Sequence, residues 1–308
     1  MEPPPVRSAQ QRRFRRRRRV AVLILVGLVA SVVGGLVAAV RTALGGETGA
    51  GPASVVTIGP TVPASASTLP VTTAAALDSA PTTAPPPKHS VTRPARVLIA
   101  GDSDAGAFGP PLMSLLEATG VVAATLDYKV SSGLSRPDFF DWPARFGQQI
   151  ADLDPHLVVV TFGGNDAQDL ALDGRAVPVA DPAWTTAYRA RVGALLDQLT
   201  DGGRRVVWVG IPNAESEAFT ARLVVQRDAV VAELAAHPAA DRVHYVDTWA
   251  RFAGRSGGYA DYIVDPRDGV GKKVRASDGF HLNVAGAEIL ARDIAAVVTA
   301  ALGVGQIP

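Results

Sequence analysis

The chain has no cysteine. That excludes disulfides, thiol nucleophiles, thiolate metal sites and attachment to a membrane through an acylated cysteine. Histidine is scarce, with five in 308 residues, so histidine-dependent chemistry can fall on only a few positions. No glycine-rich phosphate loop and no dinucleotide-binding glycine fingerprint occurs. No two carboxylates pair as a glycosidase would need. Asp265, Asp268 and Asp278 share one loop, but Asp265-Pro266-Arg267-Asp268-Gly269 reads as a turn with Lys272, Lys273 and Arg275 beside it. No metal and no cofactor is therefore expected.

What is present is divided sharply along the chain. The net charge of +1 hides a split: residues 1–41 carry nine Arg and one Glu, and the rest carries 21 Lys+Arg against 28 Asp+Glu. A basic head of +8 on an acidic body of −7 does not suggest a nucleic-acid partner for the body. Residues 1–19 read as a basic cytoplasmic tail. Residues 20–40 are 21 positions without charge or proline, about 30 Å as a helix, which matches one bilayer core. Five arginines immediately before them place the N-terminus inside and the body outside, as a bacterial single-pass signal anchor in the cell membrane. A cleaved signal peptide is the rival reading; the run is longer than the usual ~7–15 apolar residues, and no Ala-x-Ala site follows. Gly27, Ser31, Gly35 and Ala39 recur every four residues, a stripe that would let two such helices pair weakly. Small residues are also ordinary in membrane helices.

Residues 41–95 are rich in Ala, Thr, Pro, Ser and Gly and have no apolar period. Such a segment buries too little to offset its ordering entropy and reads as a disordered linker. A flexible coil of about 50 residues spans roughly 40 Å. From residue 96 to 308 the texture changes. Apolar, β-branched runs at 97–100, 121–126, 157–162, 206–210 and 243–247 suit strands buried on both faces. Helical patterns at about 109–119, 143–153, 183–201, 214–236 and 284–302 alternate with them. This predicts an α/β fold: a three-layer α/β/α sandwich around a five-stranded parallel sheet.

Ligands of open parallel sheets bind beyond the carboxyl ends of the strands. Three segments fall there: Gly101-Asp102-Ser103 after the first strand, Gly163-Gly164-Asn165-Asp166 after the third, and Asp278-Gly279-Phe280-His281 before the last helix. Ser103 is a candidate nucleophile, or a helix cap. His281 is the one histidine in a loop with a carboxylate three residues earlier. That spacing lets Asp278 bond one ring nitrogen and aim the other at Ser103; otherwise Asp278-Gly279 is a plain turn. The Asn165 amide is a candidate oxyanion donor, with the backbone N–H groups of Ser103 and Gly133 beside it; turn geometry alone would also explain Gly133. Asp104, Gly164 and Asp166 are candidates for the substrate pocket. Asp104 would otherwise point to solvent, and Asp166 would cap the following helix.

These blocks resemble the SGNH hydrolases, a branch of the GDSL esterase/lipase superfamily named for a Ser, a Gly, an Asn and a His. The matching positions are Ser103, Gly133, Asn165 and His281, with Asp278 completing a triad. The stretches 131–143 and 275–281 look like an extracytoplasmic bacterial branch known mainly as a domain of unknown function. One position departs: the family's usual Leu after Gly-Asp-Ser is Asp104 here, which disfavours anionic or very apolar substrates. The resemblance implies a flavodoxin-like fold and ester hydrolysis or acyl transfer. A surface-tethered enzyme of this kind would act on small acyl esters or on acyl groups, acetyl first among them, of O-acylated envelope polysaccharide. A lipase or thioesterase for small acyl esters is a second reading, though no long apolar lid segment follows residue 96. A tethered, non-catalytic wall-binding or scaffold module is a third.

Overall fold

The computed structural model describes residues 89–305. The basic tail, the apolar segment with Gly27, Ser31 and Gly35, and the linker up to residue 88 lie outside the described residues. Among the described residues no helix is long and apolar enough to cross a membrane.

Five strands form one parallel sheet: β1 (Ala95–Gly101), β2 (Val122–Tyr128), β3 (Leu157–Thr161), β6 (Arg205–Val209) and β7 (Val243–Val246), in the order β2-β1-β3-β6-β7. Two short hairpins stand apart, β4 (Leu170–Leu172) with β5 (Arg175–Val177), and β8 (Tyr262–Val264) with β9 (Gly271–Lys273). The long helices are α1 (Ser103–Glu117), α2 (Trp142–Leu153), α3 (Pro182–Thr200), α4 (Glu217–Ala236) and α6 (Val284–Leu302). A single turn, α5 (Thr248–Arg251), follows β7.

Strand periodicity divides the core in two. Val97 and Ile99 of β1 point into a layer with Phe108 and Leu112 of α1 and with Ile289, Leu290 and Ile294 of α6. Leu98 and Ala100 point the other way, onto Trp142 and Phe146 of α2, Trp184, Tyr188 and Leu195 of α3, and Val230 of α4. All five residues of β3 are buried, which is why the central strands read as continuous apolar runs. The result is the expected α/β/α sandwich with a five-stranded parallel sheet.

Two differences from the sequence reading matter for function. Helix α1 starts at Ser103, six residues before the periodic pattern. Gly106, Gly109, Pro110 and Pro111 depress its intrinsic propensity, and a cap and packing against α6 and β2 override them. The cap is Asp102, whose Oδ1 accepts from Asp104 N at 3.0 Å. Ser103 is thus the first helical residue and not the cap. The β4–β5 and β8–β9 hairpins escape the sequence reading, because three-residue strands carry almost no period.

The strand order reverses at β1, since β2 lies on one side of it and β3 on the other. That switch point opens a crevice at the carboxyl ends of β1 and β3. Gly101 makes the turn into it with φ of 149°. A Cβ there would strike the Thr161 carbonyl oxygen of β3. Gly101→Ala is expected to destabilise the chain by about 2–4 kcal/mol, read as a lower midpoint in chemical denaturation.

Candidate active site

Ser103 reaches the crevice because α1 begins directly at the end of β1. Its Oγ lies 2.9 Å from His281 Nε2, 178 residues away in sequence. The other ring nitrogen, Nδ1, lies 2.6 Å from Asp278 Oδ2. Asp278 also accepts from the backbone N–H groups of Phe280 and His281 at Oδ1, each at 3.0 Å. Burial pushes the Asp278 carboxyl up, but the His281 side chain and these two N–H groups outweigh it and hold it below its usual value. Serine, histidine and carboxylate therefore stand in one hydrogen-bonded line.

The loop that carries Asp278 and His281 is fixed from several sides. Gly279 adopts φ of 70°; its carbonyl accepts from Glu215 N at 2.8 Å, and a Cβ would strike the Glu215 side chain. Ala276 N donates to His281 O at 2.9 Å, and Arg275 bridges Leu282. Phe280 packs edge-on to His281, with ring centroids 4.8 Å apart, and onto Phe219 at 5.1 Å. Asn283 then caps α6 through Gly286 N.

The turn after β3 brings up the second wall. Asp166 N and Ala167 N donate to Gly163 O at 2.9 and 3.1 Å. Asn165 is half-buried in this turn, which follows β3, the neighbour of β1 in the sheet. Its carbonyl accepts from Gln168 Nε2. Ser103 is the first residue of α1, where N–H groups lack intrahelical acceptors and the helix dipole is positive. An anion forming at Ser103 would meet those groups.

The three pocket candidates, Asp104, Gly164 and Asp166, differ in their surroundings. Asp166 is fully buried, and no helix follows it to be capped. Its carboxylate accepts from Leu134 N (2.9 Å), Ser135 N (2.7 Å) and Tyr188 Oη (2.7 Å). Gly133 packs directly on that carboxylate, with no room for a side chain. Asp166 therefore pins the loop after β2, and Gly133 N–H is not among its donors. Gly164 lies against the Phe280 ring, where a Cβ would be 2.5 Å from it. Asp104 is 7% exposed and faces inward, not to solvent.

Burial pushes the pKa of three carboxyls, Asp102, Asp104 and Asp166, above the ordinary value. Burial raises Asp102 well above the ordinary value, the Asp104 charge adds to this, and bonds from Asp104 N and Gly163 N partly offset it. Burial likewise raises Asp104 and Asp166. The sequence pattern does not single out Asp102, Phe280, Glu215 or Arg275; a caps-and-turns reading of Gly-Asp-Ser finds Asp102 alone. In the 265–268 turn, Asp265 pairs with Arg267 and Lys272, and Asp268 with Lys272. Those acids are neutralised by neighbouring cations. Among the described residues no group of three or more acidic or histidine side chains is placed to hold a metal.

A family described as "Protein of unknown function (DUF459)" matches residues 96–297. No curated protein matches the chain. Among solved structures, the chain is similar to a lipase/acylhydrolase from Enterococcus faecalis, with 17% identity and a TM-score of 0.46, covering 70% of this chain and 99% of that one. It is similar to a catalytic mutant of an acetylxylan esterase from Geobacillus stearothermophilus, with 14% identity and a TM-score of 0.46, covering 70% and 96%. A GDSL-like lipase from Bacteroides thetaiotaomicron gives 13% identity and a TM-score of 0.44, covering 68% and 87%.

Two outcomes follow from these contacts. Asp166→Ala strands two buried N–H groups and the Tyr188 hydroxyl and should cost about 3–5 kcal/mol in denaturant unfolding. Asp278 has a folded pKa below its unfolded value of about 3.9, so its stabilisation is present above that pH and is lost as pH falls through the folded value. The melting-temperature gap between wild type and Asp278→Asn should be widest above about pH 4 and should close on further acidification.

Proposed function

We propose that this chain, which belongs to the DUF459 family, is a serine ester hydrolase or O-acyltransferase whose nucleophile is Ser103. The observation that carries the reading is the line Ser103 Oγ–His281 Nε2 at 2.9 Å and His281 Nδ1–Asp278 Oδ2 at 2.6 Å. A binding module needs no such line. A nucleophile bonded to a base, and the base bonded to an orienting carboxylate, is the arrangement that activates a serine.

The proposed reaction runs through this line in two acyl-transfer steps. Ser103 Oγ attacks the ester carbonyl carbon while His281 Nε2 takes its proton. Asp278 holds the ring with Nε2 toward Ser103 and stabilises the imidazolium. The carbonyl oxygen becomes an oxyanion, held by the Asn165 amide, the Gly133 N–H and the Ser103 N–H at the positive end of α1. The tetrahedral intermediate collapses, the leaving alcohol takes the proton from His281, and an acyl group remains on Ser103. Water or a sugar hydroxyl, deprotonated by His281, then releases the acyl group as acid or as a new ester.

For location and substrate we propose a single-pass anchor at residues 20–40 and a catalytic domain outside the cell membrane. The support is the arginine cluster at 15–19 followed by 21 uncharged residues. An enzyme tethered there by a linker of about 40 Å reach would edit acyl groups, acetyl first, on envelope polysaccharide.

The test is hydrolysis of p-nitrophenyl acetate by the full chain. Ser103→Ala should abolish turnover, and Asn165→Ala should lower kcat by about 10²–10³. Equal rates for wild type and Ser103→Ala would overturn the assignment of the nucleophile; full activity in Asn165→Ala would overturn that of the oxyanion donor.

A further inference from the structure

The turn that carries Asn165 is gripped by buried polar groups of two helices that the reaction above does not use. Gln226 of α4 is 1% exposed, and Tyr188 of α3 is fully buried. Gln226 Nε2 donates to the Phe162 carbonyl and to Tyr188 Oη, each at 3.1 Å. Tyr188 Oη therefore accepts from the amide, and its own hydrogen goes to Asp166 Oδ2 at 2.7 Å. The chain of bonds runs in one direction, from amide through phenol to carboxylate. It ends on both sides of Asn165, at Phe162 before it and at Asp166 directly after it. A second arm reaches Asn165 itself. Trp184 stands one turn before Tyr188 on α3, and the two rings stack with centroids 4.7 Å apart at 18°. Trp184 Nε1 donates to Gln168 O at 2.8 Å, and Gln168 Nε2 donates to the Asn165 carbonyl. The arrangement has a cost, because Gln226 Oε1 is buried without a hydrogen-bond partner. An apolar side chain in its place would avoid that cost but would leave the Phe162 carbonyl and the phenol without their donor.

We propose that Gln226, Tyr188 and Trp184 form a clamp that positions the Asn165 amide for the oxyanion, a role that rests on the reaction proposed above. A donor stabilises a forming oxyanion only when it is held in place before the charge develops. Gln226 fixes the main chain where it leaves β3. Tyr188 fixes Asp166, which is also bonded to Leu134 N and Ser135 N of the loop after β2. The Trp184–Gln168 arm fixes the Asn165 carbonyl. With the main chain held before it, after it and at its own carbonyl, Asn165 has only its side-chain torsions left to settle. Satisfied buried networks of this kind rigidify the segment they hold. All three clamp residues are buried and act through the turn, so they are positioning residues and not catalytic ones.

The experiment uses Gln226→Met and Tyr188→Phe in the full chain, which keep the bulk of each side chain and remove its hydrogen bonds. With p-nitrophenyl acetate each variant should lower kcat by about 10-fold and leave KM nearly unchanged. The loss should vanish where no amide remains to be misplaced: adding Tyr188→Phe to Asn165→Ala should lower kcat no further. A change that only loosened the fold would slow both backgrounds alike. The second readout needs no turnover. The Asn165 side-chain amide gives a pair of signals in the nitrogen–proton NMR spectrum, identified by their loss in Asn165→Ala, and this pair should shift in Gln226→Met and in Tyr188→Phe. Where Gln226→Met does not fold, Tyr188→Phe carries both readouts. Unmoved amide signals overturn the clamp. So does a wild-type kcat in the folded variants, or an equal loss in the Asn165→Ala background. A wild type inert toward esters would sink the reaction and leave the amide signals to decide the clamp, whereas an active wild type with unaltered variants would sink only the clamp.

Discussion

The buried carboxylate of Asp102 is the constraint on which the crevice depends. It lies at the end of β1, caps α1 through Asp104 N, and accepts from Gly163 N at 3.3 Å at the end of β3. One side chain thus sets where the helix carrying Ser103 begins and how far the Asn165 turn stands from it. The cost is a fully desolvated acid, and its raised pKa is the sign of that cost. Two backbone donors reduce it without removing it. Asp166 repeats the device one loop further out, tying the segment after β2 to the turn after β3 and to α3 through Tyr188. Buried acids, each satisfied mainly by backbone N–H groups, thereby join the loops that a parallel sheet leaves unconnected at its carboxyl edge.

The wall that carries His281 is built on another principle. Its loop is held by main-chain bonds to Glu215 and Ala276, by the Arg275 guanidinium, and by Phe280 wedged between Phe219 and Gly164. Asp278 is half exposed, yet it spends both oxygens on its own loop, one on two N–H groups and one on the imidazole. Rigid packing therefore orients His281, while Ser103 is placed by a helix start. A serine and a histidine 178 residues apart meet at hydrogen-bond distance, each held by its own local contacts.

Much of this was legible in the sequence, for identifiable reasons. Strands buried on both faces write long β-branched runs, so β1, β3 and β6 stood out, and with them the sheet and its order of elements. The meeting of Ser103, Asp278 and His281 followed from placing each at the carboxyl edge. What stayed hidden was local and polar. The early start of α1 was masked by Gly106, Gly109 and two prolines, whose low propensity is overridden by Asp102 and by packing. In the sequence Asp104 reads as a pocket residue or a solvent-facing one, and Asp166 as a pocket residue or a helix cap, because the local pattern does not distinguish them. Both are interior, and only the fold reveals which backbone groups or charges surround them. Arg275 left no trace in periodicity, since its role comes from contacts to residues up to 62 positions away.

The proposed reaction makes Ser103 an activated nucleophile. The most direct measurement is labelling of the full chain with a fluorophosphonate serine probe, followed by peptide mass mapping of the adduct. A single adduct is expected on Ser103 and is lost in His281→Ala, because the hydroxyl is reactive only with its base in place. An unlabelled Ser103 in folded protein, or labelling that persists unchanged without His281, would contradict it.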